Sequence, residues 1–131
     1  MNINGQEIVK GFNINDKEQP FTEQILNLLK DIETRDSNSL KSLIGQRAGM
    51  IRTGCGKAHV VGLVDIVGVV VYENEDAFRK DFSRHQIAAG SKYDIKSGGK
   101  KYGYILANVE RCNPILVTVL GNTIRNLWKE A

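Results

Sequence analysis

Residues 20–35, PFTEQILNLLKDIETR, combine a helical and a strand-like hydrophobic period within sixteen positions. The first half repeats apolar residues with the spacing of a short amphipathic helix, which we expect to begin at Pro20 or Thr22. These apolar positions are Phe21, Ile25, Leu28 and Leu29. From residue 31 to residue 35, polar and apolar residues alternate, which predicts a half-buried strand.

The helix leads directly into the strand, and Lys30 lies at the junction. Glu33 and Arg35 share one face of the predicted strand, so we expect all three side chains to converge at one rim of a sheet. A lysine beside a carboxylate can act as a general base when desolvation lowers its pKa, and the arginine fork suits a phosphate or a base edge. Lys30 and Glu33 are therefore candidate catalytic residues. The alternative is an internal ion-pair network that ties the helix to the sheet.

The spacing Lys30-x-x-Glu33-x-Arg35, after a Leu-rich helix, resembles the G-x-K-x-x-E-x-R signature of the ASCH domain family within the PUA-like superfamily. Leu28 occupies the position of the family glycine. Residues 61–67, VGLVDIV, are similar to the second core strand of the family, and residues 102–108, YGYILAN, to its penultimate strand. The final Leu-Trp pair at residues 127–128 resembles its closing pair. The resemblance spans nearly the whole chain.

The resemblance implies an α+β fold, a small PUA-like β-barrel of about five or six mostly antiparallel strands with two or three flanking helices. The sequence agrees, because Gly62 and Gly68 interrupt a β-branched run and suggest the bulges that a small barrel needs. At 131 residues the chain is large enough for one domain. We expect residues 20–131 to form it, preceded by a loose lead-in at residues 1–19, which show no clear hydrophobic period.

Further patterns predict the remaining elements. Strands are expected at residues 47–53 and 58–72, joined by a glycine-rich hairpin turn. A helix capped by Asn74 should bury Phe78, Phe82 and His85 or Ile87. A loop is expected at residues 91–101, and the last two strands at 102–111 and 115–120 are separated by Asn113 and Pro114. Trp128 is expected to pack on the barrel.

The net charge of +3 is unevenly distributed along the chain. Residues 30–57 contain six Lys and Arg against three Asp and Glu, and residues 79–101 contain seven against two. If the fold brings both blocks to one cleft, they form a basic footprint for phosphates and nucleic acid. Otherwise they are two solvated surfaces, the usual fate of Lys and Arg.

Composition excludes several classes of protein. Cys55 and Cys112 form no disulfide framework, so we expect reduced thiols and a cytoplasmic protein. The longest apolar run, residues 60–72, is too short to span a bilayer, so no membrane partner is expected. No nucleophile motif accompanies His59 or His85. The sequence has no evident carboxylate cluster for a metal, so no cofactor is expected unless the protein is a metal-assisted nuclease.

The leading functional hypothesis is a protein that holds single-stranded RNA or a modified nucleotide in a basic cleft beside the motif. The candidate ligand-binding residues are Lys30, Arg35, Arg52, Thr53, Ser91, Lys92, Tyr93 and Tyr102. The resemblance implies RNA binding, because some family members are metal-assisted ribonucleases that act on single strands. A ribonuclease is the first alternative, and a protein-interaction adaptor is the second. Another branch hydrolyses N4-acetylcytidine with a threonine at the glutamate position of the motif, so Glu33 disfavours that amidohydrolase activity.

Overall fold

The structure, a computed structural model, describes residues 1–119 and 128–130. The α+β class is confirmed. The strands are β1 (Asn2–Ile3), β2 (Gln6–Glu7), β3 (Gly11–Asn15), β4 (Ile32–Arg35), β5 (Gln46–Thr53), β6 (His59–Tyr72), β7 (Lys101–Val119) and β8 (Trp128–Glu130). The helices are α1 (Phe21–Leu26), α2 (Glu75–Lys80) and α3 (Phe82–His85), with a 3₁₀ turn at Lys41–Leu43.

The main sheet has the strand order β3-β5-β6-β7-β4, and β8 also pairs with β7. Its pairings are antiparallel except that of β3 with β5, which is parallel. The prediction of a closed barrel is wrong for the described residues, because the strand path is open and β3 and β4 are its two ends. A side chain crosses this gap instead, since Arg35 Nη2 in β4 donates to the carbonyl oxygen of Asn13 in β3. The open seam of the sheet is therefore bridged without backbone pairing.

Residues 1–15 contain the three strands β1, β2 and β3, so the prediction of a loose lead-in is wrong for this part of the chain. β1 and β2 form a hairpin, and β3 pairs with β5 from Gly11↔Gly49 to Asn15↔Thr53. Phe12 and Ile14 are buried in the main core, whereas Asn13 and Asn15, which alternate with them, are more exposed. This period of two spans only five residues, which is why it was hard to recognise in the sequence.

The last strands differ from the expected pattern in one respect. β7 runs without a break through Asn113 and Pro114, where the sequence predicted a separation. Its register with β6 shifts there, because Gly62 pairs with Arg111 and Val60 pairs with Ile115. Pro114 therefore lies in a bulge, where its missing N–H leaves no gap in the pairing. The predicted packing of Trp128 concerns a side chain outside the described part of the structure.

Both predicted helices are shorter than their apolar patterns suggested. α1 ends at Leu26, and Leu28 and Leu29 are 75% and 60% exposed, so only the Phe21 end of the predicted stripe is buried. The second helix is divided into α2 and α3 at Asp81, which accepts a hydrogen bond from Tyr72. Asn74 caps α2 as predicted, since its side chain accepts from the Ala77 N–H at 2.8 Å. No helix in the described residues has the length and apolar character of a membrane span.

Candidate functional site

A cleft of about 380 Å³ occupies the gap between the two end strands of the sheet. β3 and β4 each contribute three residues to its lining, and the rest come from α1, from the ends of β5 and β7 and from loops. The lining residues are Asn13, Ile14 and Asn15 from β3, Glu33, Thr34 and Arg35 from β4, and Phe21, Asp36, Thr53, Ile87, Tyr93 and Lys101. This cleft therefore lies where a closed barrel would have a strand-to-strand seam.

The alternation of β4 places Glu33 and Arg35 on one face, as the sequence predicted. Their register partners on β7 are Tyr104 and Tyr102, which fixes the direction of both side chains. Arg35 Nη2 lies 3.1 Å from Glu33 Oε2 and also donates to the carbonyl oxygen of Asn13. The carboxylate of Glu33 and the carbonyl oxygen of Asn13 therefore hold the Arg35 guanidinium in place at the rim of the cleft.

The charges of the cleft lining cancel, so the prediction of a basic cleft is wrong. The cations are Arg35 and Lys101, and the anions are Glu33 and Asp36. Each cation is paired, since Lys101 Nζ lies 2.7 Å from Asp36 Oδ1 and Arg35 contacts Glu33. Among the Lys and Arg residues of the basic block at residues 79–101, only Lys101 lines the cleft. A neutral polar ligand suits this lining better than a phosphate does.

Lys30 lies beneath the cleft rather than in its wall. Its side chain is fully buried, and Nζ donates to the carbonyl oxygen of His85 at 2.6 Å. Glu33 Oε1 is 3.9 Å from Nζ, and the Phe21 ring lies 4.9 Å away. Burial lowers the pKa of Lys30 to about 8, although the negative charge of Glu33 acts in the opposite direction. The contacts of Lys30 match the internal ion-pair network that the sequence left as an alternative.

His85 connects Lys30 to the wall of the cleft through hydrogen bonds. Its Nδ1 accepts from the Ile87 N–H at 2.9 Å, and its Nε2 lies 2.6 Å from the carbonyl oxygen of Phe78. These partners require the neutral ring with the proton on Nε2, and burial lowers the pKa of the imidazole. The ring also stacks on Phe78 with a centroid distance of 4.0 Å. Because Ile87 lines the cleft, Lys30 and His85 together fix part of its wall.

Two aromatic rings provide apolar surface inside the cleft. Phe21 and Tyr93 meet edge to face with their centroids 5.7 Å apart. Lys92 Nζ lies 5.6 Å from the centroid of the Tyr93 ring, on the outside of the cleft. Phe21 is buried and Tyr93 is half-buried, so Tyr93 is the ring that a planar ligand can reach.

Two polar atoms of the cleft residues have no hydrogen-bond partner in the described structure. They are Asn13 Oδ1, an acceptor, and Arg35 Nε, a donor, and both atoms are buried. Most buried polar atoms in proteins are paired, so unpaired atoms in a cleft are informative about what it binds. Asn15 differs from Asn13, because its Oδ1 already accepts from the Lys17 N–H at 2.8 Å.

Four of the predicted site residues line this cleft, namely Glu33, Arg35, Thr53 and Tyr93. Arg52, Ser91 and Lys92 lie outside its lining, contrary to expectation. Ser91 Oγ instead donates to the carbonyl oxygen of Ala88 in a turn, and the Arg52 charge acts on Asp16.

Tyr102 was also expected to face the cleft, and this prediction is wrong. It lines a separate apolar hollow with Val69, Val71 and Tyr104. The segment that follows β4 forms the other side of that hollow through Asn38, Lys41 and Ile44. Tyr104 is anchored to the same segment, because its hydroxyl donates to Ser37 O and accepts from Leu40 N, both at 3.3 Å.

The sequence did not single out several of the lining residues. Asn13 and Asn15 were missed because residues 1–19 were taken as a loose lead-in, although the alternation in GFNIN was the available signal. Asp36 and Lys101 were missed because their pairing joins positions far apart in the sequence. In the described residues, no three His, Cys, Asp or Glu side chains are grouped so that they could hold a metal ion.

Comparisons with known proteins bear on the fold. No protein-family model and no curated protein matches the sequence. The chain is similar to crystal structures of the ASCH protein from Zymomonas mobilis, with a TM-score of 0.62 and 15% identity, and of its serine-to-alanine variant, with a TM-score of 0.66 and 16% identity. Each match covers 82% of this chain and 72% of the other. A tyrosine-to-phenylalanine variant matches with a TM-score of 0.58 at 18% identity. The chain therefore has the fold of ASCH domain proteins, and the resemblance drawn from the motif is confirmed at that level.

Proposed function

We propose that the protein binds single-stranded RNA, or a modified nucleotide, by holding one unpaired base in the cleft between β3 and β4. The observation that carries this proposal is the combination of a half-buried Tyr93 ring with a fixed Arg35 guanidinium in one charge-balanced cleft. Aromatic faces and arginine planes are the groups on which proteins stack unpaired bases. The volume of about 380 Å³ lies within the range of small-ligand sites.

The basic segment beside the cleft complements this arrangement. Lys92, Lys96 and Lys100 are exposed in the segment around and after Tyr93 that leads to Lys101. Phosphates of an RNA strand can follow these lysines outside the cleft while a neutral base enters it. A neutral cleft beside exposed lysines supports a binding mode in which the base lies inside the cleft and the RNA backbone lies outside it.

A fluorescence anisotropy titration with a labelled single-stranded RNA tests the proposal, with matched single-stranded DNA and duplex RNA alongside. We expect Tyr93→Ala to weaken RNA binding by about 5- to 100-fold, the usual effect of removing one stacking ring. Tyr102→Ala is the matched control, because Tyr102 lines the separate hollow. Equal affinities for both variants and the parent protein would exclude the cleft as the RNA site.

Ribonuclease activity is the alternative function, and one observation favours it. The lowered pKa of Lys30, about 8, is that of a group able to exchange a proton near neutral pH, and Glu33 lies 3.9 Å away. Lys30 is buried beneath the cleft, however, and does not line it. Of these two motif residues, only Glu33 is placed to contact a ligand in the cleft. We therefore rank binding without cleavage first.

Cleavage is measured on the same labelled RNA with and without Mg²⁺ or Mn²⁺. We expect the RNA to remain intact. Shortened products that disappear with Glu33→Gln would establish the ribonuclease instead. If the protein neither binds nor cleaves RNA, the search moves to nucleosides and then to a role as a protein-interaction adaptor.

A further inference from the structure

The two unpaired atoms of the cleft form a complementary set. Asn13 Oδ1 accepts and Arg35 Nε donates, and each is buried without a partner in the described residues. Their residues are in contact, because Arg35 Nη2 donates to the backbone carbonyl oxygen of Asn13. The structure thus brings a free acceptor and a free donor to facing strands of one cleft, yet leaves them unpaired with each other.

Both groups are held so that they cannot easily find other partners. Arg35 Nη2 is bound to Glu33 Oε2 and to Asn13 O, which fixes the plane of the guanidinium and therefore the direction of Nε–H. Asn13 belongs to β3, whose backbone is paired to β5 at the same position. A preformed donor and acceptor of this kind favour a ligand that matches them.

The charge balance of the cleft limits the chemistry of that ligand. A phosphate has no hydrogen to donate to Asn13 Oδ1, and its charge is opposed by Glu33 and Asp36. An unpaired nucleobase carries a neighbouring N–H donor and an acceptor on its Watson–Crick edge, and it is neutral. The cleft therefore fits a base edge better than a phosphate.

We infer that Asn13 Oδ1 and Arg35 Nε recognise the Watson–Crick edge of the bound base, Asn13 by accepting its N–H and Arg35 by donating to its adjacent acceptor. This inference rests on the proposed function and assigns the contacts that select the ligand. A base that is already paired has no free Watson–Crick edge, so these two contacts exclude duplex RNA. The same contacts exclude a base that is methylated on the ring nitrogen of that edge.

Asn13 and Asn15 provide a matched pair of variants. Both asparagines line the cleft, but Asn15 Oδ1 is occupied by the Lys17 N–H. We expect Asn13→Ala to weaken binding of a single-stranded RNA by about 10-fold or more, because a ligand N–H loses its acceptor, and Asn15→Ala to change it less than about 3-fold. Arg35→Lys keeps the charge but removes Nε–H, so it should lower affinity while leaving the salt dependence unchanged.

The closing experiment measures oligouridine in three forms, unmodified, with N3-methyluridine and with 5-methyluridine, against the parent protein and these variants. We expect N3-methylation to abolish the difference between parent and Asn13→Ala, whereas 5-methylation, which leaves the Watson–Crick edge free, should preserve it. Tyr93-dependent binding in which Asn13→Ala and Asn15→Ala behave alike would overturn this inference and leave the proposed function intact. Absence of Tyr93-dependent binding to any RNA would overturn both.

A second measurement needs no ligand. If Asn13 Oδ1 is unpaired in the free protein, Asn13→Val should match or exceed the parent in urea unfolding, because it removes a buried acceptor from a strand. A clear loss of stability would mean that the oxygen is already satisfied, and would overturn the inference.

Discussion

Lys30 Nζ donates to the carbonyl oxygen of His85 across 2.6 Å, so the lysine of the motif ends on the main chain of α3 and not in the cleft. His85 in turn accepts from the Ile87 N–H, and Ile87 lines the cleft wall. Lys30 therefore affects the cleft indirectly, by holding the backbone at His85 in place. This arrangement distinguishes a structural role for Lys30 from the ligand contacts that we propose for Arg35 and Tyr93.

Lys30→Met should change how stability depends on pH. The pKa of Lys30 falls from 10.5 to about 8 on folding, so between these values the unfolded chain binds more protons and the free energy of unfolding rises with pH. Because of this residue, the free energy of unfolding of the parent protein should rise by about 2 kcal/mol between pH 7 and pH 10. The variant cannot gain it, so the free energy of unfolding of the parent minus that of the variant should increase by the same amount over this range, as urea unfolding will measure.

The comparison with Lys30→Met also removes the effect of Tyr72. Burial and Asp81 raise the pKa of Tyr72, which lowers stability at the alkaline end in both proteins equally. A gap between parent and variant that stays constant from pH 7 to pH 10 would show that Lys30 is not desolvated.

His85→Phe should change the pH dependence of stability in the same direction as Lys30→Met, but in a lower pH range. Burial lowers the pKa of His85 below 6.5, so the unfolded chain binds the extra proton first and the parent loses stability as the pH falls through 6.5. At pH 8 the variant should be less stable by about 1–3 kcal/mol, because Phe78 O and Ile87 N lose their partner. The gap should narrow between pH 7 and pH 5 in the same assay, and a gap that widens there would contradict the neutral ring.

Leu28→Gly should stabilise the protein. Leu28 has φ of +63°, the left-handed conformation that glycine adopts without strain, and its side chain is 75% exposed. Glycine is also the residue at this position in the motif that the sequence resembles, and we expect a gain of about 0.5–1 kcal/mol after its own entropic cost. Leu29→Gly is the control, because exposed Leu29 has no positive φ, and it should lose stability. Equal losses in thermal unfolding would exclude strain at Leu28.

Gly103→Ala should destabilise the sheet. A Cβ at this position would lie 2.8 Å from side-chain atoms of Ile32 and Tyr72, so β4 and β6 would have to move apart. We expect a loss of about 1–3 kcal/mol, the usual cost of overpacking. Gly68→Ala in β6 is the matched control, because its nearest contact is the Ile105 side chain at 3.8 Å. Similar unfolding midpoints for the two variants would contradict the packing described here.

Local patterns in the sequence predicted the elements that depend on neighbouring residues. The helix-to-strand junction at Lys30, the shared face of Glu33 and Arg35, and the hairpin between β5 and β6 all follow from periods of a few residues. These predictions agree with the structure because the geometry of each feature is set within a single turn or strand.

The sequence by itself determined which face of each strand carries charge, because side-chain direction follows from the period of two. Only the tertiary structure decided which strands form the two ends of the sheet, and the cleft lies between those ends. It also decided that Asp36 neutralises Lys101 and that Lys30 is bound to the backbone of His85 instead of lining the cleft. Contacts between distant residues depend on long-range strand register, and that register is fixed by packing of the whole core rather than by any local pattern.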